Sequence, residues 1–416
     1  MGRSVLSMDI EKERIQRKAD SLKDELIDLS HFIHDHPEIG LTEYQAVQKI
    51  TETLHAHGIP VNQNICGLDT AFSATVEGNR PGPHVAFFAE YDALPGIGHG
   101  CGHNIIATCA VGAFLSLCDQ MKDLPGKISL FGTPDEENTG GKKVMLEKGA
   151  FDTVDYALMI HPTISKAVVH RPSRAHGKMK INFYGKSSHS AKPQVGINAL
   201  SAVLTLFNAI DRIRPTLEPT DNINGIITNG GRAANIIPEE AECQFSLRSV
   251  SLFRVNILIE KVKHLAECAA NMIGATVQID IKAPSPERFS NRPMCEVFKA
   301  NMEALGEPME FADPNGNFGS SDMNTVSVFI PVIHDYLLIY KGRETINGHS
   351  AEFAKAAVSE RADQVCILGA KGLAMTALDI LTDASLRERI DAYHRAQVPS
   401  DYLSQIDASC RLKQRR

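Results

Sequence analysis

Short, uninterrupted apolar runs mark the first and last parts of the chain. Runs of this kind predict strands that are buried on both faces, as in parallel sheets. The predicted strands span residues 85–89, 128–131, 156–160 and 326–330. Helical stretches separate them, notably 105–120, and a charged amphipathic helix covers residues 9–35 before Pro37 ends it. Strands and helices that alternate in this way indicate an α/β layer architecture.

The pattern changes in the middle of the chain. Residues 178–183 alternate polar and apolar side chains, which is typical of a strand with one solvent-exposed face. The stretch continues with a helix around 200–210, strands at 225–228, 241–247 and 276–281, and a second helix at 252–272. We therefore expect an inserted α+β domain at 176–284, one antiparallel sheet covered by two helices. Residues 1–175 and 285–416 form the other domain, and Pro284-Ser285-Pro286 is the expected return linker.

Composition and charge narrow the range of functions. The 416 residues include 43% hydrophobic and 22% charged side chains, ordinary values for a globular protein of two or three domains. Lys and Arg total 43 against 50 Asp and Glu, and the net charge of −7 argues against a general nucleic-acid binder. A local basic pocket for a small anion remains compatible with this balance. The basic run at 411–416 has the composition of a solvated chain end.

The sequence also bears on the cellular compartment. The longest nearly apolar run, residues 105–118, is shorter than the roughly 20 residues that a membrane-spanning helix needs. Charged residues at 11–14 stand where a signal peptide would be apolar. Nine scattered cysteines indicate a reducing compartment and no disulfide framework. We expect a cytoplasmic protein with no membrane partner.

Side chains of the metal-binding type follow the predicted strands. Residues 90–92 (Glu-Tyr-Asp) follow the first strand, residues 135–137 (Asp-Glu-Glu) follow the second, and His161 follows the third. Cys101 and His103 lie in a glycine-rich run that opens a helix. Ligands of open α/β sheets bind beyond the carboxyl ends of the strands, so the fold would bring these residues to one edge.

Each of these features has an ordinary explanation when it is taken alone. Cys101 and His103 could be a buried cysteine beside a capping histidine, and Glu136-Glu137 a solvated acidic turn. His161 could be an edge histidine, and His349, which precedes a predicted long helix, a loop histidine. Taken together they indicate a site where two cations activate a water and polarise a carbonyl, with a free carboxylate as general base.

At these residues the sequence resembles the M20 family of metallopeptidases and amidohydrolases. The run Gly98-His99-Gly100-Cys101-Gly102-His103 is similar to the metal motif of its M20D branch. Residues 89–104 are similar to a dipeptidase-like subgroup that also includes relatives of aminobenzoyl-glutamate hydrolase. The shared motifs run from His36 to His349 and so cover nearly the whole chain. The resemblance implies a mixed, mainly parallel sheet flanked by helices, of the zinc-exopeptidase type, with an inserted lid that commonly mediates homodimerisation.

The resemblance also implies roles for individual residues. The implied metal ligands, for two divalent ions of zinc or manganese, are Cys101, His103, Glu137, His161 and His349. Glu136 would take a proton from the metal-bridging water and pass it to the leaving amine, while Asp92 would hold a ligand in place. His189 would stabilise the oxyanion, often from the partner subunit.

Two further lid residues are implied as substrate contacts, and one motif departs from the family. Asn235 would lie near the substrate, and Arg248 would either meet a substrate carboxylate or form a surface salt bridge. In residues 319–327 the usual Gly-Asn pair is replaced by Asn324-Thr325. Because a glycine lets backbone approach a site closely, this departure bears on substrate shape more than on metal binding.

Two functional hypotheses follow from these residues. The first is a hydrolase of the amide bond in small dipeptides or N-acyl amino acids, whose lid closes around the substrate. The alternative is a repurposed relative that binds a small amide or catalyses amide formation, although the complete ligand set argues against simple loss of catalysis. A binuclear phosphoesterase would also use paired metals, but the motifs argue against it. The substrate stays open between dipeptides that end in a basic residue and an aromatic acyl-glutamate.

Overall fold

A computed structural model describes residues 5–316, 318–342 and 346–405, so the basic run at 411–416 lies outside the described residues. The helices are α1 (Val5–Ser21), α2 (Lys23–Asp35), α3 (Tyr44–Ala56), α4 (His103–Cys118), α5 (Gly141–Glu147), α6 (Ala199–Ile213), α7 (Leu252–Ile273), α8 (Arg292–Ala304), α9 (Met323–Phe329), α10 (Ala351–Ala356), α11 (Glu360–Thr382), α12 (Ala384–Gln397) and α13 (Tyr402–Gln405). The strands are β1 (Val61–Gln63), β2 (Phe72–Glu77), β3 (Arg80–Ala89), β4 (Pro125–Gly132), β5 (Tyr156–Thr163), β6 (Val168–Val169), β7 (Ala175–Tyr184), β8 (Ser188–His189), β9 (Asn222–Asn229), β10 (Ile236–Ile237), β11 (Glu240–Ser249), β12 (Thr276–Ser285), β13 (Glu310–Phe311) and β14 (Val332–Leu338).

Contacts divide the described residues into two compact units. The junctions fall between Pro172 and Ser173 and between Arg288 and Phe289, and Phe318–Ser320 group with the second unit. The second unit includes the segment 176–284 that the sequence predicts as an inserted domain. The expected return linker is only partly a linker, because β12 continues through Ser285.

The first unit is built on an eight-stranded sheet in the order β1-β2-β4-β3-β5-β14-β6-β13. Its central strands β4, β3, β5 and β14 pair in parallel, and antiparallel pairs join β1 to β2, β2 to β4 and β14 to β6. The central strands are apolar on both faces because helices cover both sides, as the uninterrupted runs predict. The prediction of a mixed, mainly parallel sheet flanked by helices is confirmed.

Helices α4 and α11 pack against each other at the centre of this unit. They approach closely because glycine faces a small side chain, and a Cβ at Gly112 would lie 2.8 Å from the Cβ of Ala370. Helix α11 is long and apolar enough to span a membrane by length and composition, but 78% of its most apolar window is buried inside the protein. A helix in the core of a globular unit is buried in this way, so the length and composition of α11 are only weak evidence that it spans a membrane.

The second unit contains a four-stranded antiparallel sheet in the order β12-β7-β11-β9. The apolar faces of α6 and α7 bury against it, and a small ribbon pairs β8 with β10. Both helices begin at a capping side chain, since Asn198 accepts a hydrogen bond from Ser201 N and Ser251 accepts one from Arg254 N. The predicted single antiparallel sheet with two helices describes this unit, apart from the ribbon.

Four local predictions were wrong. Residues 326–330 lie mostly in the buried helix α9, and the fourth strand is β14; an apolar run buried on all sides does not distinguish a helix from a strand. The helix at 9–35 is two helices that meet at Leu22. His161 lies inside β5 rather than after it, and His349 precedes the six-residue helix α10 rather than a long one.

Candidate functional site

The carboxyl ends of the central strands bring the predicted site residues together in the first unit. Strands β3 and β4 pair in register up to Ala89 and Gly132, so the segments that carry Glu90 and Glu136 leave the sheet side by side. Phe87 of β3 pairs with Leu158 of β5. Glu90 and His161 each lie three residues beyond this pair and so reach the same edge of the sheet.

Cys101 and His103 reach this edge through a tight turn before α4. Gly102 adopts a left-handed conformation with φ of 76° directly before His103, the first residue of the helix. A Cβ at Gly102 would lie 2.6 Å from Cγ of Pro162, so both the conformation and the space require glycine. The turn places the Cys101 thiol beside the histidine of the neighbouring strand.

We call the five predicted ligands the ligand cluster: Cys101, His103, Glu137, His161 and His349. The separations are 3.5 Å from Cys101 Sγ to His161 Nε2, 3.9 Å from His103 Nε2 to Glu137 Oε1, and 3.5 Å from His349 Nε2 to Glu137 Oε1. Three groups of potential ligand atoms include members of this cluster, each with its atoms within 4.8 Å of one another: Cys101, His103 and His161; Cys101, Glu137 and His349; and His103, Glu136 and Glu137. The groups share members, so the geometry offers adjoining positions for two ions.

The unsatisfied atoms of the cluster fit metal ions. Within the described part of the chain, the buried atoms His103 Nε2 and Glu137 Oε1 make no hydrogen bond. Such atoms are costly unless a partner replaces water, and a cation would serve both. Burial raises the pKa of the Cys101 thiol to about 12, so a bound cation would have to displace its proton. Thiol, imidazole and carboxylate ligands together suit zinc and do not exclude manganese.

Asp92 links two members of the ligand cluster. Its Oδ1 lies 2.9 Å from His103 Nδ1, and its Oδ2 accepts a hydrogen bond from the Glu137 backbone N–H at 3.1 Å. Burial opposes ionisation of Asp92, but the adjacent His103 lowers the pKa of this carboxyl below its ordinary value. The contact at Nδ1 leaves His103 Nε2 directed at the cluster, the orientation that a supporting carboxylate gives a metal-binding histidine.

Glu136 lies in an unusually acidic environment. Its half-buried carboxyl falls in one group with Glu90 and Asp322, all within 4.8 Å, as well as in the group with His103 and Glu137. Burial, followed by the charges of Glu90, Asp322 and Glu137, raises the pKa of Glu136 well above its ordinary value. Glu136 therefore holds a proton more readily than an ordinary glutamate does.

A buried lysine pairs with the two carboxyls that fall in one group with Glu136. Lys142 is fully buried; its Nζ bonds to Asp322 Oδ1 at 2.7 Å and to Glu90 Oε1. Burial opposes the charge on Lys142, but Asp322 and Glu90 outweigh it and raise its pKa. We call Glu90, Lys142 and Asp322 the lysine cluster.

The departure from the family motif falls inside a helix of the first unit. Asn324 and Thr325 are both buried in α9, which begins directly after Asp322. His349, by contrast, lies on an exposed turn with φ of 57°, where its backbone N–H bonds to Gly100 O at 3.0 Å. The departure therefore lies in the helix that follows a member of the lysine cluster, and its effect on substrate shape stays a prediction.

Three predicted residues lie in the second unit, and only two of them are neighbours. His189 pairs with Ile236 across the small ribbon, and the Asn235 carbonyl accepts a hydrogen bond from Ser190 N at 3.0 Å. Arg248 lies near the end of β11, eight residues from Glu240 where that strand leaves the ribbon. At about 3.3 Å per residue it is roughly 26 Å along the strand from that end, so the unit does not bring Arg248 to His189 and Asn235.

Sequence reasoning missed two residues of the first unit. Lys142 lies in Gly140-Gly141-Lys142-Lys143, a run that has the composition of a solvated turn. Glu43 directly precedes α3 in a stretch with few charged residues, yet its side chain is fully buried and accepts a hydrogen bond from Asp135 N. No local pattern reveals either residue, because both are buried by segments distant in the sequence.

Comparison with known proteins agrees with this architecture. Peptidase family M20/M25/M40 matches residues 86–367. The Xaa-Arg dipeptidase of Mus musculus is 34% identical over 418 residues, covering 96% of this chain and 96% of the relative. A p-aminobenzoyl-glutamate hydrolase of Escherichia coli, matched through one of its subunits, is 27% identical over 68% of this chain and 62% of its own length. A crystal structure of Bacillus subtilis YxeP, described as a dinuclear metal binding peptidase from the M20 family, superposes with a TM-score of 0.69 at 20% identity, over 87% of this chain and 99% of that one.

Proposed function

The chain belongs to peptidase family M20/M25/M40 and is a hydrolase of peptide bonds, and from this premise we propose that it cleaves the amide bond of small dipeptides or N-acyl amino acids with two divalent cations. One observation carries the proposal. The buried atoms His103 Nε2 and Glu137 Oε1 lie 3.9 Å apart in the ligand cluster and make no hydrogen bond within the described residues. The Glu136 carboxyl falls in the same group. A site of this composition suits hydrolysis of a carbonyl compound.

Each residue of the site has a proposed role in the reaction. The ligand cluster would hold two ions of zinc or manganese, which when bound would polarise the carbonyl and lower the pKa of a water. Glu136 accepts a proton from the attacking water on its carboxylate and then donates it to the leaving nitrogen. Asp92 keeps His103 and Glu137 in place through one hydrogen bond to each.

The second unit supplies the proposed substrate contacts. His189 Nδ1 accepts a hydrogen bond from Ala191 N at 3.0 Å, so its neutral ring carries the proton on Nε2. That N–H is the donor that we assign to the developing oxyanion. Asn235, which adjoins His189, is the second assigned contact, in preference to Arg248. We also propose that the protein is a cytoplasmic homodimer that pairs through this unit.

For the substrate we propose first a dipeptide with a C-terminal basic residue. The Xaa-Arg dipeptidase relative matches 96% of both chains, whereas the aminobenzoyl-glutamate hydrolase relative matches over 62% of its own length. An acyl-glutamate is therefore the second substrate to test.

The test is amide hydrolysis by metal-stripped protein reloaded with Zn²⁺ or Mn²⁺. The panel includes Xaa-Arg and Xaa-Lys dipeptides, neutral dipeptides, acetylated amino acids and aminobenzoyl-glutamate, with Glu136→Ala as the control. We expect turnover that requires metal and falls by a factor of about 10²–10⁴ in the variant. Metal binding without turnover of any panel member would contradict the proposal.

A further inference from the structure

The turn that carries Glu136 begins with a residue in a rare backbone conformation. Asp135 has φ of 57°, in the left-handed region that residues other than glycine occupy at a cost. Such conformations persist where the surrounding structure fixes them, and they concentrate at functional sites. The contacts that fix Asp135 therefore show what holds the turn.

The side chain of Asp135 is fixed within the turn and by a close approach. Its Oδ1 accepts a hydrogen bond from Asn138 Nδ2 at 3.0 Å, and its Oδ2 accepts one from Thr139 N at 3.2 Å. Gly40 packs directly against it, because a Cβ there would lie 1.8 Å from Asp135 Oδ1. These contacts orient the side chain but leave the backbone N–H of Asp135 to another partner.

That partner is Glu43, which comes from a distant segment. Its fully buried side chain accepts a hydrogen bond from Asp135 N at 2.9 Å on Oε1 and another from Thr70 Oγ1 at 2.7 Å on Oε2. Glu43 directly precedes α3, yet its side chain makes no capping hydrogen bond to that helix. A buried carboxyl is costly unless it is hydrogen-bonded, and the bonds from Thr70 and from the turn are the two that satisfy Glu43.

The two amides that flank Glu136 are thus held by two buried carboxyls. Glu43 binds the N–H of Asp135, and Asp92 binds the N–H of Glu137 at 3.1 Å. We propose that Glu43 is a positioning residue that sets the direction of the Glu136 carboxyl by holding the first half of this turn. The inference rests on the proposed role of Glu136 as general base.

The expected consequence is a loss of rate rather than of binding. We expect Asp92 and the ligand cluster to stay in place when Glu43 is changed, so metal content and KM should hold. A reacting group displaced by about 1 Å can cost a factor of 10² in rate. The signature is therefore a fall in kcat at constant KM.

Two conservative variants separate the reach of the side chain from its carboxyl group. Glu43→Asp keeps the carboxyl group but withdraws the acceptor by one methylene, whereas Glu43→Gln keeps the reach and an acceptor oxygen. Burial raises the pKa of Glu43 to about 7, so a neutral amide is a close mimic. We expect kcat to fall about 10–100-fold in Glu43→Asp with two metals per chain retained, and to stay within about threefold in Glu43→Gln.

Glu38→Asp is the matched control. Glu38 accepts hydrogen bonds from Gln45 N and Ala46 N at the start of α3, so this variant perturbs the same helix without touching the turn. Its kcat should stay within about threefold of the unsubstituted enzyme. An equal loss in Glu38→Asp, or equal losses in the two Glu43 variants, would overturn the proposal.

Amide hydrogen exchange over residues 133–141 tests the contact without relying on activity. Exchange should accelerate at least about tenfold in Glu43→Asp and stay unchanged in Glu43→Gln. Unchanged exchange in Glu43→Asp would overturn the positioning role. If the unsubstituted enzyme hydrolysed no amide while this exchange pattern held, the proposed function would fail and the contact would stand.

Discussion

Two neighbouring clusters of the first unit satisfy buried charge in different ways. In the lysine cluster, the Lys142 ammonium lies between the carboxylates of Glu90 and Asp322. In the ligand cluster, described contacts leave His103 Nε2 and Glu137 Oε1 without a hydrogen bond. Glu136 adjoins both. The protein supplies its own cation to one cluster, and the other has the composition of a site that takes its cations from solution.

The difference suits the two clusters to different roles, since the lysine cluster can support Glu136 and the ligand cluster is the proposed site of reaction. An internal ammonium is permanent, so the lysine cluster can give Glu136 a fixed charged environment. An exchangeable ion brings open coordination positions, which the proposed hydrolysis at the ligand cluster would require. Replacing Lys142 should therefore unfold the lysine cluster, whereas removing the metal ions should reversibly abolish activity at the ligand cluster.

Metal removal should have the largest effect on stability. An ion that binds the folded state at 1,000 times its Kd contributes about 4 kcal/mol per site, and the ligand cluster has two proposed sites. We expect chelation to lower the free energy of unfolding by several kcal/mol and Zn²⁺ to restore it, as followed by thermal unfolding at fixed ion concentration. A Tm insensitive to chelator and metal would contradict the assignment.

Lys142→Met should be nearly as damaging but without rescue by metal. Removing one partner of a buried ion pair leaves the remaining charges uncompensated and costs about 3–5 kcal/mol. Chemical denaturation measures this loss, with the adjacent, partly exposed Lys143→Met as the control expected to change stability by less than about 0.5 kcal/mol.

A second substitution sharpens the Lys142 prediction. Adding Glu90→Gln to Lys142→Met removes one of the two stranded carboxylates, so part of the lost stability should return. Equal stability of the single and double variants would show that Lys142 acts by packing rather than by charge.

Glu43 shows a third way to accommodate a buried carboxyl, because its carboxyl binds a proton more readily than that of an ordinary glutamate. Burial raises the pKa of Glu43 from its ordinary value of 4.5 to about 7, so the folded state binds the proton more tightly than the unfolded state. The stabilisation is complete below pH 4.5 and is lost as the pH rises through 7. Glu43→Gln does not titrate, so its stability relative to the unsubstituted protein should rise by about 3 kcal/mol across this range. A flat difference would contradict the shift.

Asp92→Asn should have the smallest effect among these changes. The amide keeps the size of the side chain but loses the charge that orients His103. Loss of such a supporting group typically lowers metal affinity 10–100-fold, which corresponds to about 1.4–2.8 kcal/mol. Metal titration by calorimetry measures this change, and an unaltered affinity would show that His103 needs no such support.

Four members of the ligand cluster could be anticipated from the sequence because each follows a structural signal, whereas the ligand role of His349 is implied by the family resemblance. Glu137 follows an apolar strand, His161 ends such a run, and Cys101 and His103 lie at a glycine-marked helix start. The carboxyl ends of parallel strands meet at one edge, so pattern alone predicts their convergence.

The supporting residues could not be found in this way. Lys142 and Glu43 are placed by tertiary packing, and no local period distinguishes a buried lysine or glutamate from a solvated one. Helix α9 was mistaken for a strand for a related reason, since complete burial erases the periodicity of a short helix. Arg248 was assigned from its residue type to a substrate carboxylate or a surface salt bridge, and sequence alone did not show that the register of β11 places it away from His189.

The most direct test of the two-cluster account is anomalous diffraction from crystals of the zinc-loaded protein, collected on both sides of the zinc absorption edge. The account predicts two peaks per chain, both among Cys101, His103, Glu137, His161 and His349, and no peak between Glu90 and Asp322. A zinc peak in the lysine cluster, or none in the ligand cluster, would contradict it.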